Sequence, residues 1–399
     1  MANKFSDELD FGEDIDMRAE EKSIKQKRIF VFICLASVVV AMGIFVLLIN
    51  GFINRRFQNY EVISSIERQD TNTEQYVCPN GRLIKYSKDG ISEITISGKT
   101  LWTGSYDMNN PRMVCCGDYV LVADVGGKEA YIYNGEDTGT EIAVDYEIKQ
   151  ACVSRQGVVA LLLEDTSSNL INIYNPYDVS SSLLIEIPTN VEDGYPVTIA
   201  LSPDGTSLVA SYICVTTEKV ETKVAFYNFS ETGKNSDCLV GAKNYEDTLI
   251  TDIHFMDENQ VCLFGDKGFY IWEHMKQPEQ SVQKEIKQGI KSIFSNDRYI
   301  GLIVETEKEK VPYQLQIYNE KGDRVTVVGF ANEYDSVELA GNEILLHSAK
   351  ECTIFRLNGV QRLHCTVEEG VAYFFKSSRK YRYYILDDNT IQEVKLTKK

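Results

Sequence analysis

From Tyr60 to the C-terminus the chain repeats short hydrophobic runs separated by polar turns. The runs are rich in Val, Ile, Tyr, Phe and Leu, which favour strands. The clearest of them are Tyr119–Asp124, Ala130–Tyr133, Val158–Leu163, Ile171–Tyr174, Val224–Tyr227, Gln260–Phe264, Phe269–Trp272, Tyr299–Val304, Leu315–Tyr318, Glu343–His347 and Thr353–Phe355. Asn-Gly and Asp-Gly pairs between the runs suit tight turns, because Gly tolerates positive φ. Only the polar stretch 277–287 suggests a helix or a loop, so the pattern predicts an all-β fold.

The runs recur in blocks whose starts lie roughly 40 residues apart, the period of four-stranded propeller blades. The blocks are 76–106, 111–146, 148–190, 196–246, 248–286, 288–330 and 333–369. In four blocks the third run ends in a Tyr-Asn pair, at Tyr133-Asn134, Tyr174-Asn175, Tyr227-Asn228 and Tyr318-Asn319. This recurrence predicts a β-propeller, with a pair of β-sandwiches as the structural alternative.

The two ends of the repeat region together supply one more blade. Residues 370–397 hold three strand-like runs, and residues 60–67 can provide the fourth. Pairing them would close the ring and remove exposed sheet edges. Eight blades are therefore favoured, and seven remain if one block is miscounted.

An apolar segment precedes the repeats. The 21 residues from Ile29 to Ile49 carry no charge, and as a helix they would reach roughly 30 Å, the thickness of a bilayer core. A signal peptide is the alternative, but its apolar region is shorter, about 7–15 residues. Lys and Arg side chains are more numerous before the segment (Arg18, Lys22, Lys25, Lys27, Arg28) than after it (Arg55, Arg56, Arg68). This bias predicts a cytoplasmic N-terminus and an extracytoplasmic C-terminal domain.

These patterns divide the chain into four parts. Residues 1–28 form an acidic, disordered cytoplasmic tail, 29–51 a transmembrane helix, 52–59 a linker and 60–399 the propeller. In the tail, Phe5–Asp16 mixes apolar side chains with acids. It is either a docking motif or a solvated tail, and the solvated tail is favoured.

The charge distribution limits the partners. The chain has 59 acids and 41 bases and a net charge of −18. Residues 1–28 hold eight acids and six bases, a net −2, so the part after the uncharged span carries −16. Such an acidic domain repels phosphate, which argues against nucleic acid and favours cationic or neutral partners.

No motif for catalysis or metal binding is evident. The chain contains neither a Cys-x-x-Cys pair nor a His-Glu-x-x-His sequence, and Cys115, Cys214 and Cys262 lie in strand-like runs that predict burial. Nine cysteines follow the span, and whether any of them form disulfides stays open. His254, His274, His347 and His364 are interpreted as structural. We therefore assign no catalytic, cofactor-binding or metal-binding residue.

Acidic pairs and tyrosines give two further candidate features. The acidic pairs are Glu136-Asp137, Glu192-Asp193, Glu246-Asp247, Glu368-Glu369 and Asp387-Asp388. A glycosidase needs two carboxylates across one bond, but these pairs are interpreted as solvated loop charges. Tyr381, Tyr383 and Tyr384 could bind glycan or peptide if exposed, although packing in the core is favoured.

The segment Leu201-Ser202-Pro203-Asp204-Gly205 matches a strand-turn motif common in WD40-like and quinoprotein-like propellers. With the repeats, the span and the acidic tail, the chain resembles an uncharacterised family of single-span bacterial proteins, common in clostridia, with such an ectodomain. The Trp-Asp pair typical of WD40 blades is missing, since Glu273 follows Trp272. The resemblance carries no known catalytic residues to transfer, and the sequence shows no motif that establishes a quinone cofactor site.

The function favoured by these features is a non-enzymatic platform at the cell surface. It would be held in the lipid bilayer by residues 29–51 and would bind an envelope protein or a glycan through loops at a propeller end. The alternative is a membrane-tethered hydrolase or cofactor enzyme using carboxylates at one propeller mouth. Signalling across the membrane through the acidic tail is a third possibility.

Overall fold

A computed structural model of the chain describes residues 27–28, 30–48, 51, 54–68, 73–135, 139–165, 168–178, 182–189, 194–215, 220–234 and 237–398. The chain divides into two compact units, Met1–Arg56 and Phe57–Lys399. The tail predicted for residues 1–28, with its Phe5–Asp16 motif, lies almost wholly outside the described residues.

The first unit contains helix α1, Phe30–Leu48. Its 19 residues carry no charge and its side chains are exposed. Length and composition are sufficient for a membrane crossing. A signal sequence has the same properties, so the helix fits either a membrane anchor or a signal sequence.

The second unit consists of eight four-stranded antiparallel sheets, which form an eight-bladed β-propeller. In each sheet the strands follow one another from A, the innermost, to D, the outermost. The A strands are β2 (Gln75–Val77), β6 (Pro111–Cys116), β10 (Glu147–Val153), β14 (Tyr195–Leu201), β18 (Ile250–Phe255), β22 (Ile290–Ser295), β26 (Ser336–Ala340) and β30 (Tyr373–Lys376). The B strands are β3 (Leu83–Tyr86), β7 (Tyr119–Asp124), β11 (Val159–Glu164), β15 (Ser207–Val215), β19 (Gln260–Gly265), β23 (Tyr299–Glu305), β27 (Glu343–His347) and β31 (Arg382–Leu386).

The outer half of each sheet completes the blade. The C strands are β4 (Gly90–Ile94), β8 (Glu129–Tyr133), β12 (Asn169–Tyr174), β16 (Val220–Asn228), β20 (Gly268–Glu273), β24 (Tyr313–Asn319), β28 (Glu351–Arg356) and β32 (Thr390–Thr397). The D strands are β5 (Thr100–Ser105), β9 (Thr140–Ala143), β13 (Leu183–Thr189), β17 (Leu239–Glu246), β21 (Glu279–Glu285), β25 (Arg324–Phe330), β29 (Gln361–Thr366) and β1 (Asn59–Glu67). We number the blades 1 to 8 from the sheet that begins with β2 to the one that begins with β30.

Blade 8 closes the ring with strands from both ends of the repeat region. Its sheet has the order β1-β32-β31-β30, and β1 pairs antiparallel with β32 from Asn59↔Thr397 to Glu67↔Thr390. The prediction of a fourth strand at 60–67 is therefore confirmed, and so is the favoured count of eight blades.

The hydrophobic core lies between neighbouring blades. One cluster joins blades 4 and 5 and includes Val209, Phe226, Leu263 and Trp272. The Phe226 and Trp272 rings lie 4.6 Å apart, and the indole of Trp272 donates to the hydroxyl of Tyr245 at 2.8 Å. Burying each such side chain contributes about 1.5–3 kcal/mol. The B and C strands are buried on both faces, which explains their continuous hydrophobic runs.

The repeated Tyr-Asn pair has a structural reason. Each of the four tyrosines is the last or the last but one residue of a C strand, and all four are buried. At the strand end, the Asn side chain accepts a hydrogen bond from the backbone amide two residues later, from Tyr177 to Asn175 at 3.3 Å and from Lys321 to Asn319 at 3.0 Å. This Asx turn starts the connection to strand D. The pair therefore combines a core anchor with a turn signal.

The interpretation of residues 277–287 as a helix or a loop is wrong, because Glu279–Glu285 is strand β21. Five of its seven residues are exposed, and only Val282 and Lys284 are partly buried. An outermost strand has little contact with the next blade, so its residues need not alternate between hydrophobic and polar. Without that alternation, the sequence does not indicate a strand.

We expect closure by β1 to be essential for stability. Deleting residues 57–67 from the full chain exposes the edge of β32 and the core around Val394 and Leu396. The thermal midpoint should fall by more than about 10 °C, measured by circular dichroism in detergent. Deleting residues 2–21 is the control and should leave the midpoint unchanged. Equal midpoints for the two deletions would show that the ring does not depend on β1.

Candidate functional site

One end of the propeller carries the eight loops that join A strands to B strands. We call it the A–B face, and its loops are residues 78–82, 117–118, 154–158, 202–206, 256–259, 296–298, 341–342 and 377–381. A cavity of about 450 Å³ opens among the loops of blades 6, 7, 8 and 1. We call it the A–B cavity. Its volume is in the range of ligand sites, about 300–1,000 Å³.

Hydrogen bonds between blades fix the walls of the A–B cavity. The side-chain amide of Asn296 in blade 6 donates to the carbonyl oxygen of Gly341 in blade 7 at 3.0 Å. The ammonium of Lys376 in blade 8 donates to the carbonyl oxygen of Ala340 at 3.1 Å. These bonds join adjacent loops, so they fix the positions of the residues that line the cavity.

A glycine allows the loops of blades 1 and 8 to approach closely. Gly81 has φ +81°, and a Cβ on it would lie 2.6 Å from the backbone nitrogen of Ser378. Such a contact is too short for any residue with a side chain. Gly81 therefore determines how near this part of the wall comes to blade 8.

Glu338 is the half-buried acid of the A–B cavity, and Asp297 is an exposed acid at its rim. Glu338 lies on β26 between Val337 and Leu339. Desolvation by burial raises the pKa of its carboxyl to about 7, although the positive charge of Lys376 acts in the opposite direction. Within the described part of the chain, the Glu338 carboxylate has no hydrogen-bond or ion-pair partner. A carboxylate that is shielded and unpaired is costly.

Lys376 is held by a buried charge network behind the cavity. Its ammonium lies 3.1 Å from the Glu343 carboxylate, which also pairs with the guanidinium of Arg362 and accepts a hydrogen bond from the Tyr383 hydroxyl at 2.9 Å. Glu343 is 4% exposed and Arg362 5%. Removing one member of a buried ion pair costs about 3–5 kcal/mol. Lys376 is therefore positioned by blades 7 and 8, but it shares the single Glu343 carboxylate with Arg362, and the Glu338 carboxyl also acts on its charge.

The same network reaches the start of the propeller chain. The guanidinium of Arg362 lies 4.9 Å from the ring centroid of Tyr381 and 5.9 Å from that of Phe57. The Phe57 amide donates to the carbonyl oxygen of Arg362 at 2.7 Å. Phe57 is buried at 9% exposure. The residue that precedes β1 is thus tied to blade 7.

The cysteines of this region do not form a nucleophile. Burial raises the pKa of the Cys78 thiol in the cavity wall to about 12, and in blades 2 and 3 it raises the pKa of Cys116 and brings that of Cys152 to about 12. A thiol is nucleophilic only as the thiolate, so these side chains are unreactive at neutral pH.

All ten cysteines lie among the described residues, and all are free thiols. Cys262 is buried as predicted. The prediction of burial is wrong for Cys115, which is exposed on the inner strand β6, and for Cys214, which is partly exposed. The inner edge of an A strand meets no further strand, so residues there can be open to solvent.

The histidines are not brought together. His274 is exposed in a turn, and His364 is bonded to Thr353 at 3.0 Å. His254 and His347 are half-buried on different blades, and desolvation lowers the pKa of both. Over the described ranges, no group of three or more His, Cys, Asp or Glu side chains could hold a metal ion.

The acidic pairs that the structure describes do not converge either. Glu136-Asp137 and Glu192-Asp193 lie outside the described residues, while Glu246-Asp247 and Glu368-Glu369 are exposed. The interpretation as solvated charges is wrong for Asp387, which is 4% exposed. Its carboxylate accepts hydrogen bonds from the backbone amides of Asn389 and Thr390, at 2.6 and 2.7 Å. Asp387 is buried because it caps the β31–β32 turn.

The tyrosine cluster is part of the core. Tyr383 is 1% exposed and Tyr384 9%. Tyr381 is half-buried, with its ring 5.4 Å from that of Phe57. These rings therefore do not form an exposed surface for a glycan or a peptide.

Sequence patterns alone missed the residues of the A–B cavity. Glu338 and Lys376 come from different blades, and Asn80 and Asp297 from two others. One signal was available, because Glu338 is a charged residue between Val337 and Leu339 in an inner-strand run. Without the fold, that signal does not show which loops face the carboxyl.

The raised pKa of Glu338 predicts a specific pH dependence of stability. Because the folded pKa lies above the ordinary value of 4.5, folding loses stability as the pH rises from about 4.5 to about 7. Glu338→Gln removes this loss and should increase the free energy of unfolding at pH 8 by on the order of 2 kcal/mol. Urea denaturation at pH 5 and pH 8 measures it. The control is Glu258→Gln, at an exposed ion pair with Arg155, and the same pH dependence in both variants would contradict the prediction.

Several solved propellers are similar to this structure. BamB from Moraxella catarrhalis matches 85% of this chain and 100% of its own, with a TM-score of 0.51 and 11% identity. A eukaryotic initiation factor matches 86% of this chain and 88% of its own, with a TM-score of 0.55 and 13% identity. Chaetomium thermophilum Sqt1 bound to the N-terminus of the ribosomal protein L10 matches 85% of this chain and 100% of its own, with a TM-score of 0.53 and 13% identity.

At these identities the similarity establishes the propeller fold alone. No curated protein matches the chain in sequence. One family model, described as a family of unknown function (DUF5711), matches residues 53–396, which cover the whole propeller from β1 to β32. The chain therefore belongs to the DUF5711 family.

Proposed function

We propose that this chain is a non-enzymatic interaction platform on the surface of a bacterial cell. Residues 29–51 anchor it in the lipid bilayer, the acidic tail lies in the cytoplasm, and the propeller lies outside. The A–B face binds an envelope protein or a glycan. The observation that carries the proposal is the A–B cavity, which loops of four blades line with charged and polar residues.

The geometry of the A–B cavity favours binding over catalysis. Its residues come from loops on a rigid ring, an arrangement that holds contact residues in place without a lid. The free polar groups at its rim include Asp297 and Arg298, both exposed. Its thiol, Cys78, stays protonated because burial raises its pKa to about 12.

A protein ligand is supported by the related fold. The Sqt1 propeller was solved with the N-terminus of the ribosomal protein L10 bound, so a propeller of this kind can hold a polypeptide segment. The acidity of the present domain favours a partner with cationic segments. A glycan would instead use the Asn and Ser side chains of the cavity as hydrogen-bond partners.

One observation favours the hydrolase as a second candidate. Glu338 and Asp297 line the same cavity, and an acid with a pKa near 7 can act as a general acid at neutral pH. A glycosidase needs the two carboxyls on opposite sides of the bond. Turnover of a fluorogenic glycoside or ester by the purified chain, lost in Glu338→Gln, would select this candidate.

Cross-linking in living cells tests the platform. A photo-crosslinking amino acid in place of Asn342 on the A–B face should give a discrete adduct with an envelope component. The matched position is Lys350, which is exposed in the β27–β28 loop at the other end of the ring. Protease or glycosidase treatment of the adduct distinguishes a protein from a glycan. Adducts only from Lys350, or from neither position, would contradict the proposal.

The membrane arrangement is tested by protease protection. In intact cells, external protease should remove the propeller and leave an epitope tag at the N-terminus protected, because the lysine and arginine bias places that end in the cytoplasm. Immunoblotting measures the protected fragment, with lysed cells as the control. Digestion of the tag in intact cells would show the opposite orientation, and a chain lacking α1 would show that the helix is a cleaved signal.

A further inference from the structure

We propose that the A–B cavity holds a primary ammonium group against the carboxylate of Glu338, and that a lysine side chain of a partner polypeptide presents it. This inference deepens the proposed function and rests on it, because it names the chemistry by which the platform recognises its partner.

The first argument is the missing partner of Glu338. Its carboxylate is half-buried, and no described residue gives it a hydrogen bond or an ion pair. Other half-buried or buried acids in the propeller are paired, such as Glu93 with Arg82 at 2.9 Å and Glu393 with Arg382 at 2.9 Å. A shielded carboxyl without a partner is destabilising unless something else supplies one. A cation from a ligand would do so.

The second argument is that the nearest cation of the chain is already committed. Lys376 donates to the Ala340 carbonyl oxygen and pairs with Glu343, both at 3.1 Å. Moving it to Glu338 would break its contacts with Glu343 and with the Ala340 carbonyl oxygen and leave Glu343 paired with Arg362 alone. Glu338 therefore stays available while Lys376 forms part of the wall.

The third argument concerns the type of cation. A metal ion needs several protein ligands, and the part of the chain that the structure describes holds no cluster of three or more metal-binding side chains. An ammonium needs only one carboxylate and a few neutral acceptors for its three N–H groups. The side-chain amides of Asn80 and Asn342 line the cavity with Glu338 and supply such oxygens.

The fourth argument is size and charge. A cavity of about 450 Å³ admits the four-carbon stem of lysine with room for the backbone of its peptide. The walls contain Leu339 and Pro79, against which the stem can pack. At the rim the exposed carboxylate of Asp297 and the exposed guanidinium of Arg298 offset each other, so the attraction for an ammonium comes from Glu338.

Binding should depend on pH in a defined direction. With a carboxyl pKa of about 7 in the free chain, only about a tenth of the molecules carry Glu338 as carboxylate at pH 6, against about nine tenths at pH 8. Lysine stays protonated over this range. Affinity for the ammonium should therefore rise about tenfold from pH 6 to pH 8.

The test uses the full chain in detergent micelles and a pentapeptide with one lysine flanked by glycines, acetylated and amidated at its ends. Ligand-observed NMR relaxation measures binding at pH 6 and pH 8. We expect the tenfold rise in the wild-type chain and a loss of at least tenfold at pH 8 in Glu338→Gln. The matched control, Glu258→Gln on the same face, should bind as the wild type does. The thermal midpoints of both variants verify that they are folded.

Three further ligands complete the test. The peptide with acetyl-lysine should not bind, and the arginine peptide should bind at least tenfold more weakly. Free butylamine should bind more weakly than the lysine peptide and show the same pH dependence. Any of three results would overturn the inference. The acetylated or arginine peptide could bind as tightly as the lysine peptide, butylamine could do so, or Glu338→Gln could bind the lysine peptide with unchanged affinity. Asn342 cross-links that persist in Glu338→Gln would then show that the proposed function stands without it.

Discussion

The antiparallel pairing of β1 with β32 is the constraint on which the ring depends. The core of this protein lies between blades, so each sheet is buried only if it has a neighbour on both sides. Blade 8 obtains its outermost strand from residues 59–67 and the other three from residues 373–397. The most distant parts of the propeller sequence must therefore meet before the last interface is complete, and such non-local pairing is slow to form.

The electrostatics of the A–B cavity follow from closure. Blade 8 contributes Lys376, blade 7 contributes Glu343 and Arg362, and blade 1 contributes Asn80 and Gly81. The network pairs Glu343 with Arg362 and Lys376, whereas among the described residues Glu338 has no hydrogen bond or ion pair, although both acids come from blade 7. One acid therefore stabilises the junction of the blades, and the other faces an open space.

The sequence allowed the fold to be predicted where burial produces a pattern. The B and C strands are enclosed on both faces, and runs such as Tyr119–Asp124 and Glu343–His347 match strands residue for residue. The D strand Glu279–Glu285 was missed because exposure removes the pattern. Cys115 was misjudged because an A strand has one edge open to the middle of the ring. The A–B cavity could not be predicted from the sequence, because its residues come together only when the ring of blades is closed.

If the proposed anchor holds the chain at a membrane, the attachment of Phe57 has a mechanical consequence. Any tension that arrives along the chain from residues before Phe57 meets first the buried ring under Arg362 and Tyr381, and the hydrogen bond from its amide to Arg362. The ladder between β1 and β32 is loaded only after this anchorage yields. The contacts of Phe57 with blade 7 would thus bear a pulling force first. The pairing of β1 with β32 would separate only after those contacts had broken.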